Sequence, residues 1–362
     1  MYAAIHKHTL NFNFLAGTSR GVLRTKDSYL VSLFTDNGGE FLGIGECAPL
    51  KGLSCDDLPN YEELVHYFAS KLTDSNIKFN TSDQALRWVS ENIGAQYPSI
   101  RFGFEIALLD MIGGGKQQLL SNNWSLSPNC PLPINGLVWM NDKDHMMEQV
   151  KEKINAGFDC IKLKIGAIDF DNEIELLMYI REYYHEDQIT IRVDANGAFS
   201  ENDVFEKLER LSEYDIHSIE QPVKPDQHRL MKKVCNTSPI PVALDEELIG
   251  IEGQSNKLKL LKDIRPQYII IKPSLVGGIS GSREWIDLAT ECHIGWWITS
   301  ALESNIGLNA ISQLTATYDI NMPQGLGTGQ LYSNNIQSPL VIENGKLYYD
   351  DTLSWNYDLI KR

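Results

Sequence analysis

Two lysines interrupt an apolar run near the middle of the chain. Residues 160–166 read CIKLKIG, so Lys162 and Lys164 are separated by a single leucine. Alternate side chains of a strand point to the same side, which places both lysines on one face of a predicted buried strand. Two partly desolvated ammonium groups disfavour each other's charge, so this pattern predicts a lysine with a lowered pKa that acts as a base. The alternative is a frayed strand whose lysines extend into water.

Each of the next three apolar runs ends in a carboxylate. The residues are Asp194, Glu220 and Asp245, and about one strand-helix unit separates each from the next. Ends of neighbouring parallel strands meet at the face where barrel enzymes place their active sites. Three clustered carboxylates repel one another unless a cation lies among them, and such oxygen ligands favour Mg²⁺. For one carboxylate alone the alternative is a helix N-cap, but three in succession favour a metal site.

A third lysine follows one unit later. Lys272 ends the apolar run at 268–272, and in a closed barrel this position lies across the carboxylates from Lys164. A base on one side, a metal in the middle and a cation on the other side suit the removal of a proton next to a carboxylate and the stabilisation of the resulting enediolate. The alternative for Lys272 by itself is an exposed strand end.

The elements that position these residues follow a regular rhythm. Eight short apolar runs alternate with helical segments, which predicts a parallel (β/α) barrel over 126–334. Residues 1–50 read as antiparallel hairpins and 58–120 as helices, so an α+β capping domain is expected over 1–125, with the segment from about 335 to 362 packing back on it. The eight runs are 132–139, 160–165, 189–194, 217–221, 242–245, 268–272, 295–299 and 325–329.

The composition of the chain argues against some classes of binding partner. The chain has 362 residues, 43% of them hydrophobic, enough for a large core. Its formal net charge of −16 argues against nucleic-acid and anionic-membrane partners, which need clustered Lys and Arg. There is no signal-peptide layout, no apolar run near the roughly 20 residues that span a bilayer, and no CxxC pair among the six cysteines. We therefore expect a cytoplasmic protein that acts on small molecules.

These residues together resemble the enolase superfamily, and within it the muconate-lactonizing-like subgroup. The resemblance covers almost the whole chain and implies a modified (β/α)7β barrel with an N-terminal α+β capping domain. Segments 19–21 and 45–50 resemble the two loops that close over substrate in that superfamily. The barrel motifs that carry the resemblance are KLK at 162–164, DAN at 194–196, EQP at 220–222, DE at 245–246, SALES at 300–304 and GLGTG at 325–329.

The resemblance also implies roles for the charged residues. Lys164 matches the base that removes the α-proton and returns it to a departing hydroxyl. Lys272 matches a cation that stabilises the intermediate, and Lys162 matches a residue that tunes its neighbour. The Mg²⁺ ligands, for which Mn²⁺ is an alternative metal, match Asp194, Glu220 and Asp245.

Substrate contacts are expected from three further positions. Arg192 resembles a residue that orients substrate, with a structural ion pair beneath the metal site as the alternative. Ser300 and Arg20 are substrate contacts by position, with a capping serine and a solvated arginine as their alternatives. Asn196 and Glu246, which stand beside metal ligands in the DAN and DE motifs, are expected to support them.

The implied reaction is a Mg²⁺-dependent syn dehydration of a small-molecule carboxylate, as in the synthases of menaquinone biosynthesis, by a hydro-lyase. The same first half-reaction serves N-acylamino acid racemases and dipeptide epimerases. Those epimerases carry an Asp-x-Asp element on the last barrel strand, which 324–329 lacks. Sugar-acid dehydratases place a histidine late in the barrel, and 296–303 has none. A binding or scaffold protein that kept the barrel but lost catalysis would lack one of the lysines or one of the metal ligands, and this chain has all of them. A homo-oligomer is expected on general grounds.

Overall fold

The computed structural model describes residues 1–18, 21–126 and 130–358. Its N-terminal part is a three-stranded antiparallel sheet in the order β1-β2-β3, followed by three helices. The elements are β1 Tyr2–Thr18, β2 Gly21–Phe34, β3 Phe41–Cys47, α1 Tyr61–Asp74, α2 Ser82–Asn92 and α3 Pro98–Ile112.

Helix α3 packs directly on strand β3. Almost every residue from Ile100 to Asp110 is buried, so this helix is apolar on all sides rather than on one stripe. The close approach depends on glycines, because a Cβ on Gly45 would lie 2.0 Å from the carbonyl oxygen of Gly103. The sheet is thereby fixed against α3, and its last strand is held at the border with the barrel.

The second part is a curled parallel sheet of seven strands, in the order β5-β6-β7-β8-β9-β10-β11. Its strands are β5 Gly136–Val138, β6 Cys160–Lys164, β7 Thr190–Asp194, β8 Ile216–Glu220, β9 Val242–Leu244, β10 Tyr268–Ile271 and β11 Gly295–Ile298. The helices between and after them are α4 Lys143–Asn155, α5 Phe170–Tyr183, α6 Val204–Ser212, α7 His228–Thr237, α8 Gln254–Ile264, α9 Pro273–Val276, α10 Gly278–Glu291 and α11 Asn305–Thr315.

The ring is closed by a pair of residues instead of a full eighth strand. The amide of Gly325 donates to the carbonyl of Ile298 at 2.9 Å, and the amide of Asn135 donates to the carbonyl of Gln324 at 2.9 Å. A Cβ on Gly325 would lie 1.9 Å from the Thr299 hydroxyl, so only glycine fits there. The strand predicted over 325–329 is therefore wrong beyond its first residue, because Gly327–Gln330 forms a 3₁₀ helix.

The run predicted as one strand over 132–139 is also divided. Leu132–Pro133 forms a separate strand, β4, before β5 enters the barrel. Pro133 has no amide hydrogen with which to continue a ladder, and the next amide, of Ile134, donates to the carbonyl of Gly345 at 3.0 Å. The chain thus changes partners before it reaches the barrel.

The C-terminal segment forms a hairpin, β12 Leu340–Glu343 and β13 Lys346–Tyr349, which pairs with β4 in a third sheet. Trp124 donates its indole hydrogen to the carbonyl of Leu347 at 2.9 Å. Farther on, the rings of Phe41 and Tyr357 lie 5.5 Å apart, so the segment also reaches the first sheet. The barrel and its α+β N-terminal part are confirmed, whereas the domain boundaries stay a prediction. No helix in the described ranges has the length and apolar character needed to cross a membrane.

Candidate active site

Strand β6 presents its two lysines as the sequence predicts. Lys162 and Lys164 both line the cavity at the carboxyl ends of the barrel strands. The alternating residues, Leu163 and Ile165, are buried in the hydrophobic core on the other face. Both lysines are largely withdrawn from solvent, so the alternative of a frayed strand does not hold.

The carboxylates stand beside the lysines because the strand ends are in register. Lys164 on β6 pairs with Asp194 on β7, which in turn pairs with Glu220 on β8. The Lys164 ammonium lies 2.5 Å from Asp194 Oδ2, and that of Lys162 lies 2.9 Å from the same oxygen. Lys162 also contacts the carboxylate of Glu220. The predicted juxtaposition of the first two carboxylates with the lysine strand is therefore present.

Lys272, which directly follows β10, contacts the same group of carboxylates. Its ammonium contacts Asp245 and lies 3.9 Å from Glu220 Oε1. Like Lys162 and Lys164, Lys272 lines the cavity, so lysines flank the carboxylates on both sides. All three predicted carboxylates are nearly completely buried.

The local charges change the expected lysine chemistry. Burial alone would lower the pKa of Lys162, but Asp194 and Glu220 outweigh it and raise that pKa. The pKa of Lys272 is likewise raised, because Asp245 and Glu220 overcome the effect of its burial. The prediction that lysine-lysine repulsion lowers the pKa is thus wrong for Lys162 in the arrangement described, whereas the raised pKa of Lys272 agrees with its expected role as a cation. Attraction to the buried carboxylates is the stronger force.

The carboxylates themselves differ in their proton affinity. Burial opposes ionisation of Asp194, yet Lys162 and Lys164 hold its pKa below the usual range. Burial and the charge of Asp194 raise the pKa of Glu220 well above its ordinary value. Like charges placed this close cannot all be stabilised by the lysines alone.

The donor set fits a hard divalent cation. All the ligand atoms that the three carboxylates offer are oxygens, which a hard cation prefers. Neither oxygen of Glu220 takes part in a hydrogen bond of ordinary geometry, although the Lys162 ammonium contacts this carboxylate. Among the described residues, no group of three acidic, histidine or cysteine side chains has the positions needed to hold a metal ion. The lysine ammonium groups explain this, because they contact the carboxylates that would hold the ion.

The two residues expected to support the ligands are bonded to each other. Asn196 donates from its side chain to Glu246 Oε1 at 2.8 Å, and its amide donates to Asp194 Oδ1 at 2.9 Å. Its own side-chain oxygen accepts a hydrogen bond from Lys164 at 2.8 Å. Asn196 has a φ of 42°, a left-handed conformation that asparagine tolerates better than most residues. It therefore orients both the lysine and the first carboxylate.

One supporting residue was missed in the sequence. Gln221 is completely buried, and its side-chain oxygen accepts the amide hydrogens of Asp245 at 3.1 Å and of Glu247 at 3.3 Å. It thus fixes the backbone that presents the third carboxylate. The signal was its place directly after Glu220 in the EQP motif, where a polar residue continues a buried strand.

The cavity has a volume of about 120 Å³ and an apolar side. Leu50 and Leu53, from the loop after β3, line it together with Trp139 and Leu331. Four lysines line it, and no aspartate or glutamate is among its described lining residues. It therefore suits a partly apolar molecule that carries negative charge.

Ser300 lines the cavity, but its hydroxyl is already engaged. It donates to Glu303 Oε2 at 2.5 Å and accepts the amide hydrogen of Leu302 at 3.0 Å. Glu303, which the sequence reasoning passed over, also accepts hydrogen bonds from Ser274 and from the amide of Ala301. The only signal was an acid between two serines in SALES. The structure thus favours the capping alternative for Ser300 over a substrate contact through its hydroxyl.

Arg192 lies away from the cavity. Arg192 stands on β7, two residues before Asp194. Its guanidinium lies 4.2 Å from the ring centre of Trp297 and donates to the carbonyl of Pro323 at 2.8 Å. Arg192 is absent from the described lining residues, which does not support the predicted substrate contact. The contacts of its guanidinium with Trp297 and Pro323 take the place of the alternative ion pair beneath the metal site within the described residues. The remaining predicted contact, Arg20, lies outside the described residues.

A closed parallel barrel with buried carboxylates between lysines at its strand ends defines a barrel enzyme with the groups for acid-base chemistry. The family model "Enolase C-terminal domain-like" matches residues 145–353. An o-succinylbenzoate synthase of Desulfotalea psychrophila is 42% identical, over 96% of this chain and 98% of the relative. The chain belongs to the enolase superfamily.

Comparison with solved structures agrees with this family assignment. The crystal structure of MenC from Desulfotalea psychrophila superimposes with a TM-score of 0.83 at 39% identity, covering 96% of this chain and 99% of that chain. The L-Ala-D/L-Glu epimerase of Bacillus subtilis gives a TM-score of 0.81 at 18% identity, covering 99% and 97%, and thus shares the fold. A hydrophobic dipeptide epimerase of Enterococcus faecalis is 27% identical over 82% of this chain and 81% of the relative.

Proposed function

We propose that this chain is an o-succinylbenzoate synthase of menaquinone biosynthesis. It removes water from 2-succinyl-6-hydroxy-2,4-cyclohexadiene-1-carboxylate and leaves 2-succinylbenzoate. The observation that carries the proposal is a cavity in which Lys164 and Lys272 flank three buried carboxylates, while no acid is among the lining residues that the structure describes. The relative of that activity, 42% identical over nearly the full length of both chains, supports it.

Lys164 acts as the base in this reaction. Its amine takes the proton from the carbon next to the substrate carboxylate, and the electron pair moves into that carboxylate to give an enediolate. The same ammonium then returns the proton to the departing hydroxyl, which leaves as water while the electron pair forms the last ring double bond. Asn196, hydrogen-bonded to Lys164, keeps the amine directed at one face of the ring. Base and acid on one face give a syn elimination.

Lys272 remains protonated in this scheme. Its charge lies on the far side of the carboxylates and stabilises the negative charge that develops on the substrate. Asp194, Glu220 and Asp245 would hold a Mg²⁺ or Mn²⁺ ion, supported by Asn196 and Glu246. When bound, the ion supplies positive charge that makes the α-proton more acidic.

A second function shares the first half of this chemistry. Lys164 and Lys272 both line the cavity, and two bases on opposite faces suit the racemisation of an N-acylamino acid. A dipeptide epimerase is less well supported, because the described lining offers no carboxylate for a substrate ammonium.

The test is incubation with the cyclohexadiene hydroxy acid and Mg²⁺, followed by addition of EDTA. We expect the ultraviolet absorbance of the aromatic product to rise with Mg²⁺ and to stop rising once the metal is chelated. The absence of metal-dependent aromatisation would overturn the proposal. Exchange of the α-proton of N-succinylamino acids in D₂O, followed by NMR, measures the racemase alternative. Exchange as fast as dehydration would show a dual activity.

A further inference from the structure

The cavity has a fourth basic side chain besides the three lysines that contact the carboxylates. Lys153, on helix α4, lines the cavity beside the first barrel strand. It reaches this place because Gly136 has no side chain: a Cβ there would lie 3.1 Å from the Cβ of Lys153. The 3₁₀ helix Gly327–Gln330 comes close to the same strand, because a Cβ on Gly327 would lie 3.6 Å from the carbonyl oxygen of Asn135, the residue before Gly136; Gly327 and Thr328 also line the cavity.

The charge of Lys153 differs from that of the other cavity lysines. Lys162, Lys164 and Lys272 all contact buried carboxylates. Lys153 makes no ion pair within the described part of the chain, and its ammonium lies 5.7 Å from the ring centre of Phe158. Since the described cavity lining also contains no acid, Lys153 brings to the cavity a positive charge that no acidic side chain among the described residues pairs with.

Thr328 provides a second, independent observation in the same cavity. It lines the cavity, is only 7% exposed, and its hydroxyl oxygen is buried without a hydrogen-bond partner. The cavity's other threonine, Thr299, donates to the carbonyl of Gly325 at 2.8 Å. A buried hydroxyl without a partner costs free energy, and such groups in folded proteins call for a ligand or a function.

We propose that Lys153 and Thr328 form a subsite for the anionic end of the substrate's side arm. The proposal rests on the synthase function proposed above, in which the ring carbon next to the first carboxylate faces Lys164 and the succinyl arm carries a second carboxylate. That second carboxylate binds the Lys153 ammonium, and the Thr328 hydroxyl donates to an oxygen of the arm. The subsite therefore selects substrates with two negative charges separated by a short apolar spacer, and it takes no part in proton transfer.

Binding of the aromatic product and of one analogue tests the subsite without requiring turnover. We would measure the Kd of 2-succinylbenzoate and of 2-butyrylbenzoate, which lacks the distal carboxylate, by calorimetry with Mg²⁺ present. Lys153→Met should weaken 2-succinylbenzoate by about tenfold and leave 2-butyrylbenzoate unchanged, because only the former loses a charged partner. Lys153→Arg should retain the preference. Thr328→Val should weaken 2-succinylbenzoate by about threefold or more.

Lys151→Met is the matched control, because Lys151 is an exposed lysine of the same helix. The subsite is overturned if Lys153→Met has the same affinity as the wild type for 2-succinylbenzoate, or if it weakens both ligands equally. Turnover of the cyclohexadiene acid by the wild type is measured separately. A wild type without turnover that still prefers the dicarboxylate, and loses this preference in Lys153→Met, refutes the synthase function while supporting the subsite.

Discussion

The carboxylate of Glu46, in the last strand of the N-terminal sheet, accepts the amide hydrogen of Gly307 in the first turn of α11 at 2.9 Å. It also accepts hydrogen bonds from the amide and hydroxyl of Ser304 at 2.9 and 2.6 Å, and from Ser28 at 2.6 Å. Ser304 directly follows Glu303, which holds Ser300 at the cavity. A single buried side chain thus joins the N-terminal sheet to the loop at the end of β11.

Replacement of Glu46 should destabilise the whole chain. Glu46→Ala leaves the donors of Ser28, Ser304 and Gly307 buried without an acceptor, so we expect the free energy of unfolding to fall by about 3 kcal/mol or more. Urea denaturation measures this. Glu40→Ala, at an exposed position just before β3, should change it by less than about 0.5 kcal/mol. A Glu46 variant as stable as that control would contradict the bridging role.

Lys164→Ala should abolish dehydration while leaving the fold intact. The substitution removes the amine that takes the α-proton, and we expect kcat to fall by at least about a thousandfold. Turnover is followed by ultraviolet absorbance, with circular dichroism to confirm folding. Lys151→Ala, on an exposed helix face, is the matched control. Turnover near that of the wild type would remove Lys164 as the base.

Magnesium should stabilise the protein through the three strand-end carboxylates. At a concentration one hundred times its Kd, an ion that binds only the folded state adds about 2.7 kcal/mol. We therefore expect Mg²⁺ to raise the Tm of the wild type and EDTA to reverse the rise. Asp245→Asn should lose most of this response, whereas Asp187→Asn, at an exposed site, should keep it. Equal Tm shifts in both variants would argue against Asp245 as a ligand.

Glu105 should make stability depend on pH. Its carboxylate, buried in α3, accepts the amide hydrogen of Ile279 at 2.5 Å in the first turn of α10. Burial raises the pKa of Glu105 from 4.5 to about 7. The folded state therefore retains a proton that the unfolded state loses between these values, so stability falls as pH rises from about 4.5 to 7, by up to about 3 kcal/mol.

Glu105→Gln removes this titration while keeping a side-chain oxygen. The free energy of unfolding, measured in urea from pH 5 to 8, should therefore decrease less steeply with pH than in the wild type. Glu63→Gln, at an exposed site in α1, serves as the control and should keep the wild-type slope. Equal slopes for Glu105→Gln and the wild type would show that Glu105 does not carry this dependence.

Short-range regularities explain why the central site could be predicted from the sequence. The period of two in a strand puts Lys162 and Lys164 on one face, and the repeat of strand and helix brings Asp194 and Glu220 into register. Neither inference needs knowledge of distant contacts. The pKa of Lys162 could not be predicted in the same way, because its direction depends on how closely two carboxylates from other strands approach.

The sequence by itself determined the barrel, the lysine strand and the strand-end carboxylates, because each follows from local periodicity and from the geometry of parallel strands. Only the tertiary structure decided how the ring closes at Gly325, that Arg192 packs on Trp297, and that Lys153 and Thr328 line the same cavity. These features depend on contacts between residues far apart in the chain. A local sequence pattern cannot predict them, because the packing of the whole chain determines which distant residues come into contact.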